Sequence, residues 1–259
     1  MLSKNQAKLI RSLEQKKNRE RERLFVAEGP KVVGDLLQAG YKARILLDDE
    51  EDVRKVSFLQ HPQGVLAVFE IPDTAPFTIG QKELASTDYL PSQGRTGGIP
   101  LSLALDGIQD PGNLGTIIRI ADWFGIETIY CSKGTADVYN PKVIQATMGS
   151  IARVNIVYTD LAALIDSLPE GTPVYGTLLD GENIYEQPLS AHGLIIMGNE
   201  GNGISPEIRK KITHKLLIPN FNTNPNSADS LNVAIATAIT CSEIKAHPRP
   251  LPKGGETCP

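Results

Sequence analysis

Short apolar runs, each closed by a polar or glycine-containing turn, recur between residues 101 and 246 with helical stretches between them. Residues 101–105 end at Asp106-Gly107, and runs at 129–131 and 154–157 follow. The run at 174–178 leads to Asp180-Gly181, that at 194–197 to Gly198-Asn199, and that at 216–218 to Pro219. Runs this short and this apolar read as strands buried on both faces. Strands alternating with helices leave one main solution, an α/β fold with a mostly parallel sheet covered on both sides. Ligands gather at the carboxyl ends of such strands. The polar and glycine-bearing segments all fall at that rim, which predicts a single pocket.

Helices are predicted between these strands. One begins at Asn113 as N-cap and places Leu114, Ile117, Ile118, Ala121 and Phe124 on one face, with Arg119 opposite and Asp122 three residues on as its ordinary ion-pair partner. Others span 141–149, from an Asn-Pro cap, and 160–168. Ser205-Pro206 reads as a further helix start. The last helix runs from about Ser230 to Ala246 and is apolar nearly all round, so burial is expected. The glycine-rich turn 198–203, set between a strand and a helix start, exposes backbone N–H groups to a ligand.

Ahead of this region, residues 4–22 read as one helix. Strands at 24–27, 43–47 and 65–71 and a helix at 31–39 make a small α/β module. Residues 72–100 are dense in Pro and Gly, and residues 248–259 are a Pro- and Gly-rich stretch that reads as a disordered tail. The expected organisation is a module at 1–72, a linker at 73–100, a larger domain at 101–247 and the tail at 248–259. Net charge is −4, yet residues 1–31 carry nine Lys and Arg against four Glu. A local excess of this kind suits phosphate binding, and Lys16, Lys17, Arg19, Arg21 and Arg23 are the candidate RNA-binding residues. A solvated helix face laced with i,i+4 pairs explains the same run equally well.

Several chemistries are excluded. No G-x-G-x-x-G, P-loop, G-x-S-x-G or H-E-x-x-H pattern occurs. Cys131, Cys241 and Cys258 are widely spaced with no Cys/His pair at ligand spacing, so no metal is expected; no apolar run approaches the roughly 18 residues needed to cross a bilayer, so no membrane partner is expected, and the reading is a cytoplasmic protein with reduced thiols.

Three separated motifs carry a resemblance. Asn113-Leu114-Gly115-Thr116-Ile117-Ile118-Arg119 resembles the first signature of the SpoU (TrmH) family of RNA ribose 2′-O-methyltransferases, in the SPOUT superfamily. The segment 195–204, with Gly198-Asn199-Glu200-Gly201, resembles the second. Ile218-Pro219 together with Ser230-Leu231-Asn232 resembles the third. Phe25-x-x-Glu28-Gly29 and Pro62-Gln63-Gly64 are similar to the substrate-recognition module of many such enzymes. The resemblance implies S-adenosylmethionine as donor, RNA as partner with ribosomal RNA ahead of transfer RNA, a homodimer and a C-terminal trefoil knot. It assigns Arg119, Asn113, Glu200, Ser230 and Asn232 to catalysis, and Thr177, Leu178, Gly198, Asn199, Gly201, Ile218 and Leu231 to the donor. Guanidinium is never deprotonated in proteins, which favours Arg119 as an electrostatic stabiliser over a base. The connection 220–229 departs from the family pattern, being longer and free of glycine, and leaves the donor pocket's shape open. A non-catalytic RNA-binding or ribosome-assembly protein on the same fold is the alternative.

Overall fold

The computed structural model describes residues 2–72, 99–224 and 228–246. Residues 73–98 of the expected linker, the expected tail and the centre of the Asn-rich connection lie outside the described residues, while Ile99 at the linker's end is buried.

The first module contains α1 (Lys4–Ser12), α2 (Lys16–Glu22), β1 (Leu24–Glu28), α3 (Pro30–Gln38), β2 (Ala43–Leu47), α4 (Glu50–Val56) and β3 (Leu66–Glu70). Its antiparallel sheet has the order β1-β3-β2. The predicted single helix over 4–22 is two helices. Asn18 Nδ2 donates to Ser12 O (2.8 Å), and Arg19 Nη1 donates to Leu13 O (2.7 Å) and Glu14 O (2.6 Å). These donors take the carbonyls that a continuous helix would use, so the chain turns there. Helix α4 grows from the acidic patch: Asp49 caps it and Glu50, Glu51 and Asp52 fill its first turn, where the helix dipole favours negative charge.

The second module is β4 (Ser102–Asp106), α5 (Pro111–Trp123), β5 (Thr128–Cys131), α6 (Pro141–Thr147), β6 (Asn155–Tyr158), α7 (Leu161–Asp166), β7 (Val174–Asn183), β8 (Leu194–Gly198), α8 (Pro206–Arg209), β9 (His214–Leu217) and α9 (Val233–Ala246). Its six strands are ordered β6-β5-β4-β8-β7-β9 and every pairing is parallel. Asn140 and Asp160 cap α6 and α7 with their side chains. Helix α8 is one turn only, so the glycine turn before it is not backed by a helix dipole of any size.

Side chains alternate between layers with the two-residue period of a strand. Leu24, Val26, Leu66 and Val68 face an outer core with Ile10, Leu13, Val53 and Val56. Ala104, Leu194 and Ile196 face the opposite outer core, under Leu161, Leu164 and Ile208. Between them lies one shared core, holding Phe25, Phe69, Val33 and Leu36 of the first module with Leu103, Ile117, Tyr139, Ile144 and Ile195 of the second. The rings of Phe25 and Tyr139 sit 4.6 Å apart and those of Phe25 and Phe69 5.6 Å apart. Each such pair adds about 0.5–1.5 kcal/mol beyond the area it buries.

Two ionic contacts close the seam between the modules. Arg19, 2% exposed, donates from Nη2 to Asp137 Oδ2 at 2.6 Å, with 3% and 10% of the two side chains exposed. Arg153 bridges Asp35 of α3 (3.1 Å) and Asp122 of α5 (2.8 Å).

Candidate active site

The carboxyl ends of β7, β8 and β9 and the segment leading into α9 enclose a cleft of ≈ 810 Å³. Its deep wall is apolar, formed by the buried Met197, Leu216 and Val233. Its mouth carries Glu200, Asn220, Asp229 and Ser230 among exposed Leu179, Phe221 and Leu231.

Strand β7 explains one side. It pairs with β9 at Tyr175–Thr177 and again at Glu182 and Asn183, with a register break between. Residues 178–181 bulge out of the ladder, with Leu178 and Leu179 forming cleft wall, and the strand outruns its predicted end at 178 because it pairs with β9 again beyond the bulge. The turn 198–203 is folded on itself. Asn199 and Gly203 exchange backbone hydrogen bonds of 2.9 Å, and Asn199 Oδ1 accepts from Gly201 N and Asn202 N. Asn199 Nδ2 donates to Gly107 O at 2.7 Å and ties the turn to the end of β4. A Cβ on Gly198 would stand 2.3 Å from the backbone of Gly203 and Ile204, so this position accepts glycine alone.

All seven residues assigned to the donor (Thr177, Leu178, Gly198, Asn199, Gly201, Ile218 and Leu231) line this cleft, as do Glu200 and Ser230. The Asn-rich connection contributes too: Asn220, Phe221 and Asn222 line the wall, with Asn222 N donating to Asn220 Oδ1 at 2.9 Å.

Asn113 is not the helix cap predicted. Asp110, before Pro111 at the first helical position, accepts from Asn113 N at 2.7 Å and caps α5. The Asn113 side chain is therefore released for the site. Its Nδ2 donates to Glu200 Oε1 (3.0 Å) and its Oδ1 accepts from Asn232 Nδ2 (2.9 Å). Asn232 Oδ1 in turn accepts from Ala234 N and Ile235 N and caps α9, which starts three residues later than predicted. Three residues from three distant motifs thus form one chain, Glu200–Asn113–Asn232, beside the cleft. Ser230 makes no hydrogen bond among the described residues.

Arg119 lies on the exposed face of α5 and has no hydrogen bond or ion pair among the described residues. Its expected partner Asp122 is held by Arg153 instead. Gly115 packs α5 onto α6: a Cβ there would lie 2.5 Å from Ala146 Cβ and 2.7 Å from Val143 O.

The basic run divides. Lys16, Lys17 and Arg21 are exposed on α2. Arg23 is half-buried and donates to Ile71 O and Pro72 O. Arg19 departs from its assignment to RNA. Buried and ion-paired to Asp137, it has no free donor edge for a phosphate. Helix α9 also departs from expectation, since Ile235 remains 52% exposed in the single chain. Burial pushes the Cys241 thiol up to about 12 and raises Cys131 as well, so both are unreactive thiols. Sequence reasoning missed the cleft floor, Asp110 and Asp137. Only Asp110 had a readable signal, its place before a helix-starting Pro.

Residues 100–242 match the SpoU rRNA Methylase family, a span that holds the cleft and all three motifs. The chain belongs to the SpoU rRNA methylase family. Residues 4–53 of this SpoU protein match the MRM3-like substrate binding domain. It is 32% identical over 253 residues to the 23S rRNA (guanosine(2553)-2′-O)-methyltransferase RlmP of Bacillus subtilis, covering 94% of this chain and 97% of that one. A TrmH-family structure from Porphyromonas gingivalis superposes with a TM-score of 0.74 at 40% identity, over 95% and 99% of the two chains. An AdoMet-bound rRNA methyltransferase from Sinorhizobium meliloti superposes with a TM-score of 0.79 at 30% identity, over 95% and 96%.

Proposed function

We propose that this SpoU protein transfers a methyl group from S-adenosylmethionine to a ribose 2′-hydroxyl of ribosomal RNA. The observation that carries the reading is the cleft, where Gly198, Asn199 and Gly201 of the second motif, Ile218 and Leu231 of the third, and Thr177 and Leu178 of β7 converge on one pocket. Its apolar wall suits an adenine ring, its strand-end backbone groups suit the ring's polar edge, and Glu200 and Asp229 at the mouth suit a positively charged sulfonium. The donor supplies the activated methyl group when bound.

The chain's own residues have the remaining work. A ribose hydroxyl is a weak nucleophile, so negative charge developing on its oxygen must be stabilised. Arg119, exposed and free of any partner among the described residues, is the group for that charge or for the neighbouring phosphate. Asn113 and Asn232 hold Glu200 in place at the mouth. The exposed Lys16, Lys17 and Arg21 of α2 draw in the RNA backbone.

A homodimer belongs to the same reading. Trp123 on α5 is 85% exposed and Ile235 on the adjacent α9 52%, an apolar face that a second copy would cover and that explains why α9 is apolar nearly all round. Replacing Ile235 with Glu should leave a monomer by light scattering. The trefoil knot is likewise part of the proposal, supported by the return of α9 onto α5 and β8 after β9.

Two measurements test the function. Nucleosides of ribosomal RNA from cells lacking the protein should lose one 2′-O-methyl mark, and an unchanged profile counts against it. Calorimetric titration with S-adenosylmethionine should show binding, which a purely structural RNA-binding protein has no need of.

A further inference from the structure

The loop after β5 joins the seam to the cleft. Residues 132–137 leave β5 at the same rim as Asp106 and Gly198. Ser132 Oγ accepts from Gly107 N at 2.9 Å, the buried Thr135 donates from Oγ1 to Leu105 O at 3.0 Å, and Ala136 N donates to Ile108 O at 2.8 Å. Thr135 N closes the turn on Ser132 O at 3.0 Å. At the far end Asp137 receives Arg19 from α2. At the near end Gly107 O receives Asn199, the residue before Glu200. A continuous run of hydrogen bonds therefore leads from the basic helix to the cleft mouth. At the tip of the loop stands Lys133, exposed and without a hydrogen bond or ion pair among the described residues.

We propose that Lys133 grips an RNA phosphate between the exposed lysines of α2 and the Glu200 side of the cleft, guiding the strand onto the site. The proposal rests on the reading that the substrate is RNA. Its physical basis is placement on a fixed support. A cation on a turn already held by side-chain and backbone bonds gives up little chain freedom when it takes a phosphate. The turn is anchored at one end to the RNA-facing helix and at the other to the catalytic rim, so a phosphate held there has a set distance to both. Lys133 is a binding residue and takes no part in the methyl transfer itself.

The test uses the full-length protein and in vitro transcribed, unmodified large-subunit ribosomal RNA. Binding of wild type, K133A, K133E and K133R is measured over stepped salt, with donor affinity, methyl transfer and melting temperature on the same preparations. K133A should bind RNA roughly fivefold more weakly and lower the slope of log K against log salt by about 0.7–0.9, the loss of one phosphate contact. K133E should weaken binding further and K133R should restore it, with donor affinity and melting unchanged. Wild-type affinity and slope in K133A and K133E would overturn the proposal. If wild type transfers no methyl group but the salt slopes still separate, the methylation reading fails and the phosphate contact stands.

Discussion

Two arginines, Arg19 at the seam and Arg119 on the exposed face of α5, show how one residue type serves opposite ends. Arg19 is buried, with its guanidinium spread over Asp137 and the carbonyls of Leu13 and Glu14. Arg119 is exposed and unpaired among the described residues, and the carboxylate three residues away is held by Arg153 instead. At the seam two donors hold Asp137 of the other module and two hold the turn between α1 and α2. On α5 the Arg119 guanidinium keeps its donors free of any partner among the described residues. The lesson is that charge read along a sequence gives no account of which face it lands on.

The comparison can be broken most severely at the seam. R19A leaves Asp137 as a buried carboxylate without its cation, and should cost about 3–5 kcal/mol of stability by urea denaturation. The fraction that stays folded should retain methyl transfer to within a few fold, because Arg19 does not reach the cleft. At the other pole, R119A should lower single-turnover transfer about 10²–10³-fold while stability moves by no more than about 0.5 kcal/mol. R119K should recover little, since an ammonium lacks the planar fork. A result in which R119A unfolds the protein and R19A abolishes transfer would reverse the two assignments.

Smaller effects sharpen the contrast. G115A drives a methyl group into Ala146 and Val143, so α5 must lift from α6, at about 1–3 kcal/mol. The glycine of the first motif is thus explained by packing, and its variant should lose melting temperature before it loses donor affinity. The smallest effect concerns Asp35. Its hydrogen bond from Lys31, and then that from Arg153, hold its carboxyl below the ordinary value of 3.8. A lowered carboxylate contributes stability above its unfolded pKa and loses it as pH falls through the folded value, so the window lies below about pH 4. D35N should flatten the acid limb of a melting curve recorded from pH 6 to pH 3 and leave the neutral limb little changed.

Much of the second module was legible because its signals are local. Continuous apolar runs marked buried parallel strands, and the seven residues that the resemblance assigns to the donor all line the one cleft. What escaped depends on contacts distant in sequence. The break between α1 and α2 arises because Arg19 and Asn18 reach back to carbonyls of residues 12–14, and no periodicity records that. The β7 bulge comes from its double pairing with β9. Asp137 lies 118 positions from Arg19, so the burial of that pair follows only from the docking of the modules. Asn113 was a different failure. Asp110 before Pro111 was the stronger cap signal, and once it takes the cap the Asn113 side chain is free to join Glu200 and Asn232.

The most direct measurement supplies isotope-labelled S-adenosylmethionine to the wild-type protein and to R119A with ribosomal RNA lacking the mark, then locates the label by nucleoside mass spectrometry. The expected result is a single ribose labelled on its 2′-oxygen by the wild type and almost none by R119A at equal fold stability. Label on a base, no label at all, or equal transfer by the two proteins would contradict it.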